Sequence, residues 1–229
     1  MKRLWSLGMM AAVLAAMSAA PAYVNLNGAT GIISLPNANT VGANNFSAAA
    51  DVLFFDSTRV VGRAAYGITN HLEVGGAISA GSDSYYGLAA KYQVPLTPLG
   101  FNWAVGGSAF HATNGNNSEQ LYVAGTRPFP FSGTTGVTFY GTLGANLTWL
   151  DSDAGLRPFL GGQLLLGPRT QIDGEVQFDT GSFDERTTLS LGARQVFSPV
   201  FSGQIGLTNS VGFLGSGEHS AFVGLSFSQ

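Results

Sequence analysis

The side chains able to do acid–base or nucleophilic chemistry are few. Cysteine is absent, which removes thiolate ligands, cysteine nucleophiles and disulfides together. The three histidines are His71, His111 and His219, and no two have metal-ligand spacing. His111 lies near Ser108 and Ser118, the composition of a Ser–His pair that would still need a third, orienting group. Serine is so abundant that such nearness arises by chance, so an enzyme is not expected. An enzyme acting on lipid stays the secondary reading of these residues. No phosphate-binding loop stands out from so glycine-rich a background, and no cofactor or metal site is expected.

The informative polar residues are charges held inside apolar stretches. Asp51, Arg63, Glu73, Lys91, Arg157, Asp173, Glu175, Asp179 and Arg194 each fall on the polar side of a segment whose residues alternate between apolar and polar. The clearest such segment is 137–149. Val137, Phe139, Gly141, Leu143, Ala145, Leu147 and Trp149 face one way, and Thr138, Tyr140, Thr142, Gly144, Asn146 and Thr148 the other. A period of two is the mark of a β-strand with two unlike faces. Counting through the turn near Pro168 sets Arg157 opposite Asp179 and Arg194 beside Asp173 and Glu175. Two readings of these charges stay open: a satisfied electrostatic ladder that stiffens a wall, or a selectivity lining for a small polar solute.

Twelve alternating segments of about ten residues follow one another, the length a tilted membrane strand needs. They are 45–55, 59–68, 72–80, 86–94, 101–111, 119–128, 137–149, 156–166, 171–179, 186–197, 200–209 and 219–228. In the sixth, Tyr122 and Val123 compete for one face. Charged residues make up 10% of the chain, against about 25% in ordinary soluble domains. No apolar run near 20 residues follows residue 22. This suits a wall whose every second residue faces hydrocarbon. A soluble β-sandwich would carry more surface charge and fewer strands of this length, and a soluble ligand-binding barrel is a further alternative.

Residues 1–22 read as a signal peptide, with Lys2 and Arg3, the apolar run Leu4 to Ala16, and Ala20-Pro21-Ala22 as a small-x-small cleavage site. Removing Lys2 and Arg3 leaves 8 of the 10 basic residues against 13 acidic ones, which gives no footprint for nucleic acid. The fold class expected is therefore all-β: a closed antiparallel transmembrane β-barrel of about twelve strands over 45–229, in the bacterial outer membrane, surrounded by its lipid. An open sheet edge is not viable in hydrocarbon, so 219–228 should pair with 45–55. Turns near Thr69-Asn70, Pro95 to Gly100, Pro130 to Gly136, Gly167 to Arg169 and Ser198-Pro199 would be periplasmic. The loops 56–58, 81–85, 112–118, 150–155, 180–185 and 210–218 would be extracellular and short. Prolines are expected in links, since inside a ladder they delete a hydrogen bond.

Between signal and barrel lies 23–44, a segment rich in Gly and Pro with the short apolar core Ile32, Ile33 and Leu35, closed by Pro36. It is too apolar for a free tail and too broken for a long strand. It either enters the barrel as a partial plug or lies as a short strand against the periplasmic turns.

Two stretches carry a family likeness. Asn27-Gly28-Ala29-Thr30-Gly31-Ile32-Ile33-Ser34-Leu35-Pro36-Asn37-Ala38 resembles the G-x-x-G-[LI]-[IL]-x-x-P-[TN]-A opening of YjbH-type outer-membrane proteins. Tyr66-Gly67-Ile68-Thr69-Asn70-His71-Leu72-Glu73-Val74-Gly75 resembles the hairpin YGLTDNLEVG found in that group and in other barrels. The resemblance implies an outer-membrane barrel preceded by a Gly-Pro segment, with a link to exopolysaccharide export. Likeness to other outer-membrane proteins further implies that the aromatic C-terminal strand is read by the barrel-assembly machinery. The function expected is passive, a narrow pore or a structural envelope component. The solute is unknown from sequence.

Overall fold

The computed structural model describes residues 23–55, 58–81, 84–113, 115, 117–131, 136–150, 153–178, 180, 187–209 and 219–229. The proposed signal peptide and Asp179 lie outside the described residues, as do most of the expected extracellular loops.

The strands are β1 (Phe46–Phe55), β2 (Arg59–Gly67), β3 (Leu72–Gly81), β4 (Tyr85–Val94), β5 (Asn102–Ala112), β6 (Asn117–Pro130), β7 (Val137–Leu150), β8 (Asp153–Leu166), β9 (Thr170–Gln177), β10 (Thr188–Ser198), β11 (Phe201–Thr208) and β12 (Ser220–Ser228). Each pairs antiparallel with its sequence neighbours, and β12 pairs with β1, so the sheet closes as a twelve-stranded barrel. The seam runs from Ser47 opposite Ser228 to Phe55 opposite Ser220. Closure leaves no sheet edge. Among the described residues, the one helical element is a 3-10 turn at Pro98–Gly100.

Alternation decides which side chain goes where. On β7, Tyr140, Thr142, Asn146 and Thr148 are buried in the lumen, while Leu143 and Leu147 are exposed on the outer surface. The outer surface carries large apolar side chains all round, with Leu88 75% and Ile78 63% exposed. In water such a surface would be a liability; against hydrocarbon it is the stable arrangement. Exposed aromatics gather at strand ends. Phe46, Tyr66, Tyr92, Phe129, Phe197, Phe201 and Phe227 lie at one end, here the lower, and Phe54, Tyr86 and Phe178 at the other.

Three details differ from the sequence expectation. In β6, Tyr122 points inward and Val123 outward, which turns Glu119 and Arg127 to the outer surface. Both are charges on the apolar side. β6 also runs through Pro128 to Pro130, beyond its last pair with β5 at Thr126, so these prolines sit where the strand is paired on one side only. There the missing N–H removes no ladder bond to β5. Finally, β6 and β8 begin at Asn117 and Asp153, which makes their preceding links shorter than 112–118 and 150–155.

Candidate functional site: the barrel lumen

The lumen is filled by polar wall residues and by the N-terminal segment. Val24, Leu26, Ile32, Ile33, Leu35 and Val41 are all buried, and Ile32 is 0% exposed. Two isolated bridges, Val24 with Thr30 and Gly31 with Pro36, fold the segment into successive tight turns. Leu26 N donates to Ile33 O at 2.7 Å and Ile32 N to Leu35 O at 2.9 Å. Asn25 Oδ1 accepts from Asn27 N at 3.0 Å and Ala29 N at 3.2 Å.

The glycines of the opening motif have identifiable jobs. Gly28 has a φ of 78°, and a Cβ there would strike the Gly76 backbone of β3. A Cβ on Gly31 would strike Leu35 O. On the wall, Gly161 makes room for Ile32 in the same way. Leu26, Ile32 and Ile33 pack with Leu53, Val61 and Phe222 from β1, β2 and β12, while Leu35 packs with Tyr122, Ala124 and Phe159.

Two wall carboxylates hold the segment by its backbone. Glu175 on β9 accepts from Ile33 N at 3.1 Å, Ser34 N at 2.8 Å and Leu35 N at 3.1 Å, and from the Ser34 hydroxyl. Successive N–H groups converging on one anion form an anion nest. Glu73 on β3 accepts from Thr30 N at 2.7 Å and Val41 N at 3.0 Å, with Lys91 Nζ at 3.5 Å. Lys91 also donates to Thr30 O at 2.9 Å. Two neutral groups assist: Ala38 N donates to Thr126 Oγ1 at 2.9 Å, and Asn37 Nδ2 to Gln163 Oε1 at 3.3 Å.

The remaining charges form a second network. Arg63 Nη2 lies 2.6 Å from Asp51 Oδ2. Asp51 accepts from Gln204 Nε2, and Gln204 Oε1 accepts from Arg194 Nη2 at 2.8 Å. The Arg194 guanidinium stacks on the Tyr23 ring, 3.6 Å from its centroid, so this network also touches the segment. Gly224 of β12 lies between Asp51 and Gln204, and a Cβ there would strike the Asp51 carboxylate.

Asp51, Arg63, Glu73, Lys91, Arg157, Asp173, Glu175 and Arg194 thus all lie buried on the lumen face. Asp173 stays close, opposite Gly192 and interacting electrostatically with Arg194, but Glu175 is not a neighbour of Arg194. The register partner of Arg194 is Gln171, whereas Glu175 pairs with Ser190, four residues along β10, and binds the segment. Charge alone did not disclose Gln204, Thr126, Gln163 or Tyr23. His111 belongs to the outer surface, with Nδ1 2.6 Å from Asn117 Oδ1, while Ser118 is buried inside. Alternation therefore separates His111 from both Ser108 and Ser118. Among the described residues, no group of three or more His, Asp or Glu side chains could hold a metal ion.

No protein-family model matches the chain, and no curated protein matches it significantly. Solved structures do. KdgM porin has a TM-score of 0.64 at 11% identity, covering 79% of this chain and 98% of that chain. A second KdgM porin structure, in complex with disordered oligogalacturonate, has a TM-score of 0.63 at 15% identity over 79% and 98%. NanC porin has a TM-score of 0.58 at 11% identity over 80% and 98%. At such identities the likeness is one of fold: the closed twelve-stranded barrel described here has the architecture of transmembrane porins.

Proposed function

We propose that the chain is a narrow, passive pore of the bacterial outer membrane, delivered there by residues 1–22 and constricted by residues 23–44. The observation that carries this reading is the contrast between its two surfaces. The wall is apolar outside, while the inside carries at least eight charged side chains and many neutral polar ones beside the apolar patches that pack on the segment. Eight-stranded barrels are filled by their own side chains and sixteen-stranded porins hold water. A twelve-stranded barrel lies between, and here the N-terminal segment takes up the space. The exposed apolar wall argues against a soluble ligand-binding barrel. The separation of His111 from Ser108 and Ser118 argues against the Ser–His enzyme.

The lumen charges act as pore lining and as anchors for the segment, and the solute is small and polar. The likeness of residues 28–38 to the opening of YjbH-type proteins supports a link to exopolysaccharide export through that same segment. The C-terminal strand β12 is the part offered to the barrel-assembly machinery. Planar-bilayer conductance tests the reading. The chain from Tyr23 should give small unitary currents, and deleting residues 23–42 should enlarge them. An unchanged current from a correctly folded deletion variant would overturn the plug, and no current from either protein would overturn the pore.

A further inference from the structure

The outer surface over β2–β6 is hollowed. Some of its outward positions are small, namely Gly62 and Ala64 on β2, Gly76 on β3, Ala90 on β4, and Gly107 and Ala109 on β5, and they lie between larger side chains such as Val74, Ile78 and Leu88. The resulting groove has a volume near 1510 Å³. That exceeds the roughly 300–1,000 Å³ of a small-molecule pocket. It runs from Phe46 and Tyr66 at the lower aromatic ring to Leu121, Glu119 and Trp149 near the upper end. There it continues into a second hollow of about 570 Å³ lined by Tyr86, His111, Asn117 and Glu119.

The upper hollow is itself mostly apolar but carries a few polar groups. The Tyr86 ring packs on His111 with centroids 5.5 Å apart, and His111 Nδ1 meets Asn117 Oδ1 at 2.6 Å. Glu119 sits one step below, across from Ala109 on β5 and Trp149 on β7. It has no hydrogen bond or ion pair among the described residues. The other outward charge of β6 is provided for. Arg127 lies 5.3 Å from the Phe129 ring centroid, and its Nη1 donates to Leu99 O at 3.3 Å. A carboxylate at the edge of a hydrocarbon-facing groove calls for a cation that arrives with the hydrocarbon.

We propose that the outer face of β2–β6 binds a lipid whose headgroup bears a primary ammonium. The acyl chains lie in the groove over Gly76 and Ala90, and the ammonium donates to the Glu119 carboxylate beneath the Tyr86–His111–Asn117 cluster. The proposal rests on the barrel spanning a membrane, as in the reading above. Hydrocarbon fills the groove in any bilayer; the charge complement at Glu119 is what selects the headgroup.

Trp149 on the groove wall is the reporter. With Trp103→Phe it becomes the sole tryptophan of residues 23–229. This variant, folded into phosphatidylcholine vesicles, is titrated with chain-brominated phosphatidylethanolamine or with chain-brominated phosphatidylcholine at equal mole fraction. Both headgroups are zwitterionic, but only ethanolamine has N–H donors. Trp149 should be quenched about two- to fivefold more efficiently by the ethanolamine lipid, the range an exposed ion pair supports. Glu119→Gln should erase the preference, and Arg127→Gln should leave it. Equal quenching by the two lipids, or a preference that survives Glu119→Gln, overturns the site while leaving the membrane reading intact. No quenching of Trp149 when Trp103 of the Trp149→Phe variant is quenched would show the groove covered by a second copy of the chain, which also overturns it. Failure of both variants to be quenched by both lipids would instead refute the membrane-spanning reading.

Discussion

Glu175→Gln isolates the hold of the wall on the N-terminal segment. The carboxylate takes the Ser34 N–H and hydroxyl on Oε1 and the Ile33 and Leu35 N–H groups on Oε2. A glutamine keeps the size but only one acceptor oxygen. Two of these bonds are lost, and the new amide N–H groups face donors. Hydrogen bonds to a charged group contribute about 1.5–3 kcal/mol each, so the loss is about 3–6 kcal/mol if the two add. Every 1.4 kcal/mol is about tenfold in population, so the displaced state should rise at least a hundredfold. The absence of native cysteine makes this measurable. Ile32→Cys introduces one buried thiol, and its modification by a membrane-impermeant maleimide in folded, detergent-solubilised protein reports exposure. Labelling should be slow in Ile32→Cys alone and at least a hundredfold faster with Glu175→Gln, while heat-modifiable gel mobility stays that of the folded barrel. Equal labelling rates in two folded proteins would refute the argument that the carboxylate holds the segment.

Other expectations follow from the wall. Leu160→Arg places a charge on the outer surface near the middle of β8 and should cost about 2–4 kcal/mol of folding stability, whereas Leu99→Arg, in the more exposed lower turn, should cost little; urea unfolding into lipid vesicles compares them. Arg63→Met leaves Asp51 buried beside an apolar group and should destabilise by about 3–5 kcal/mol, with much of that recovered in Arg63→Met/Asp51→Leu, by the same measurement. Deleting Leu225 to Gln229 removes the seam pairs from Ala50 with Leu225 to Ser47 with Ser228, so heat-modifiable, protease-resistant protein should vanish.

The strands were legible because a wall with two solvents writes its orientation into every second residue. β7 shows this without ambiguity. β6 was unreadable from its own pattern, because Tyr122 and Val123 are both apolar and Glu119 and Arg127 break the rule that charges face inward. Alternation also set eight of the described charges apart from the apolar side, and these side chains are buried. It could not reveal what they bind. Glu175 meets backbone N–H groups some 140 residues earlier, and a backbone amide carries no side-chain signature. Counting across the β9–β10 hairpin gives neighbours within the wall, so it set Arg194 beside Glu175. It could not anticipate that the segment would claim Glu175 and leave Arg194 to Gln204 and Tyr23. The prolines of β6 were misjudged for a related reason: strand overhang depends on how far the neighbour extends, which β6 itself does not encode.

The two carboxylates that grip the N-terminal segment belong to β3 and β9, six places apart in a ring of twelve. They stand across a diameter. The segment is therefore a tie rod as well as an obstruction, since it links opposite sides of a tube whose hydrogen-bonded hoop resists stretching but bends easily into an ellipse. With the rod in place the cross-section is pinned along one axis. Without it, the section is free to breathe between round and flattened shapes, and current through the open tube should fluctuate as its width does.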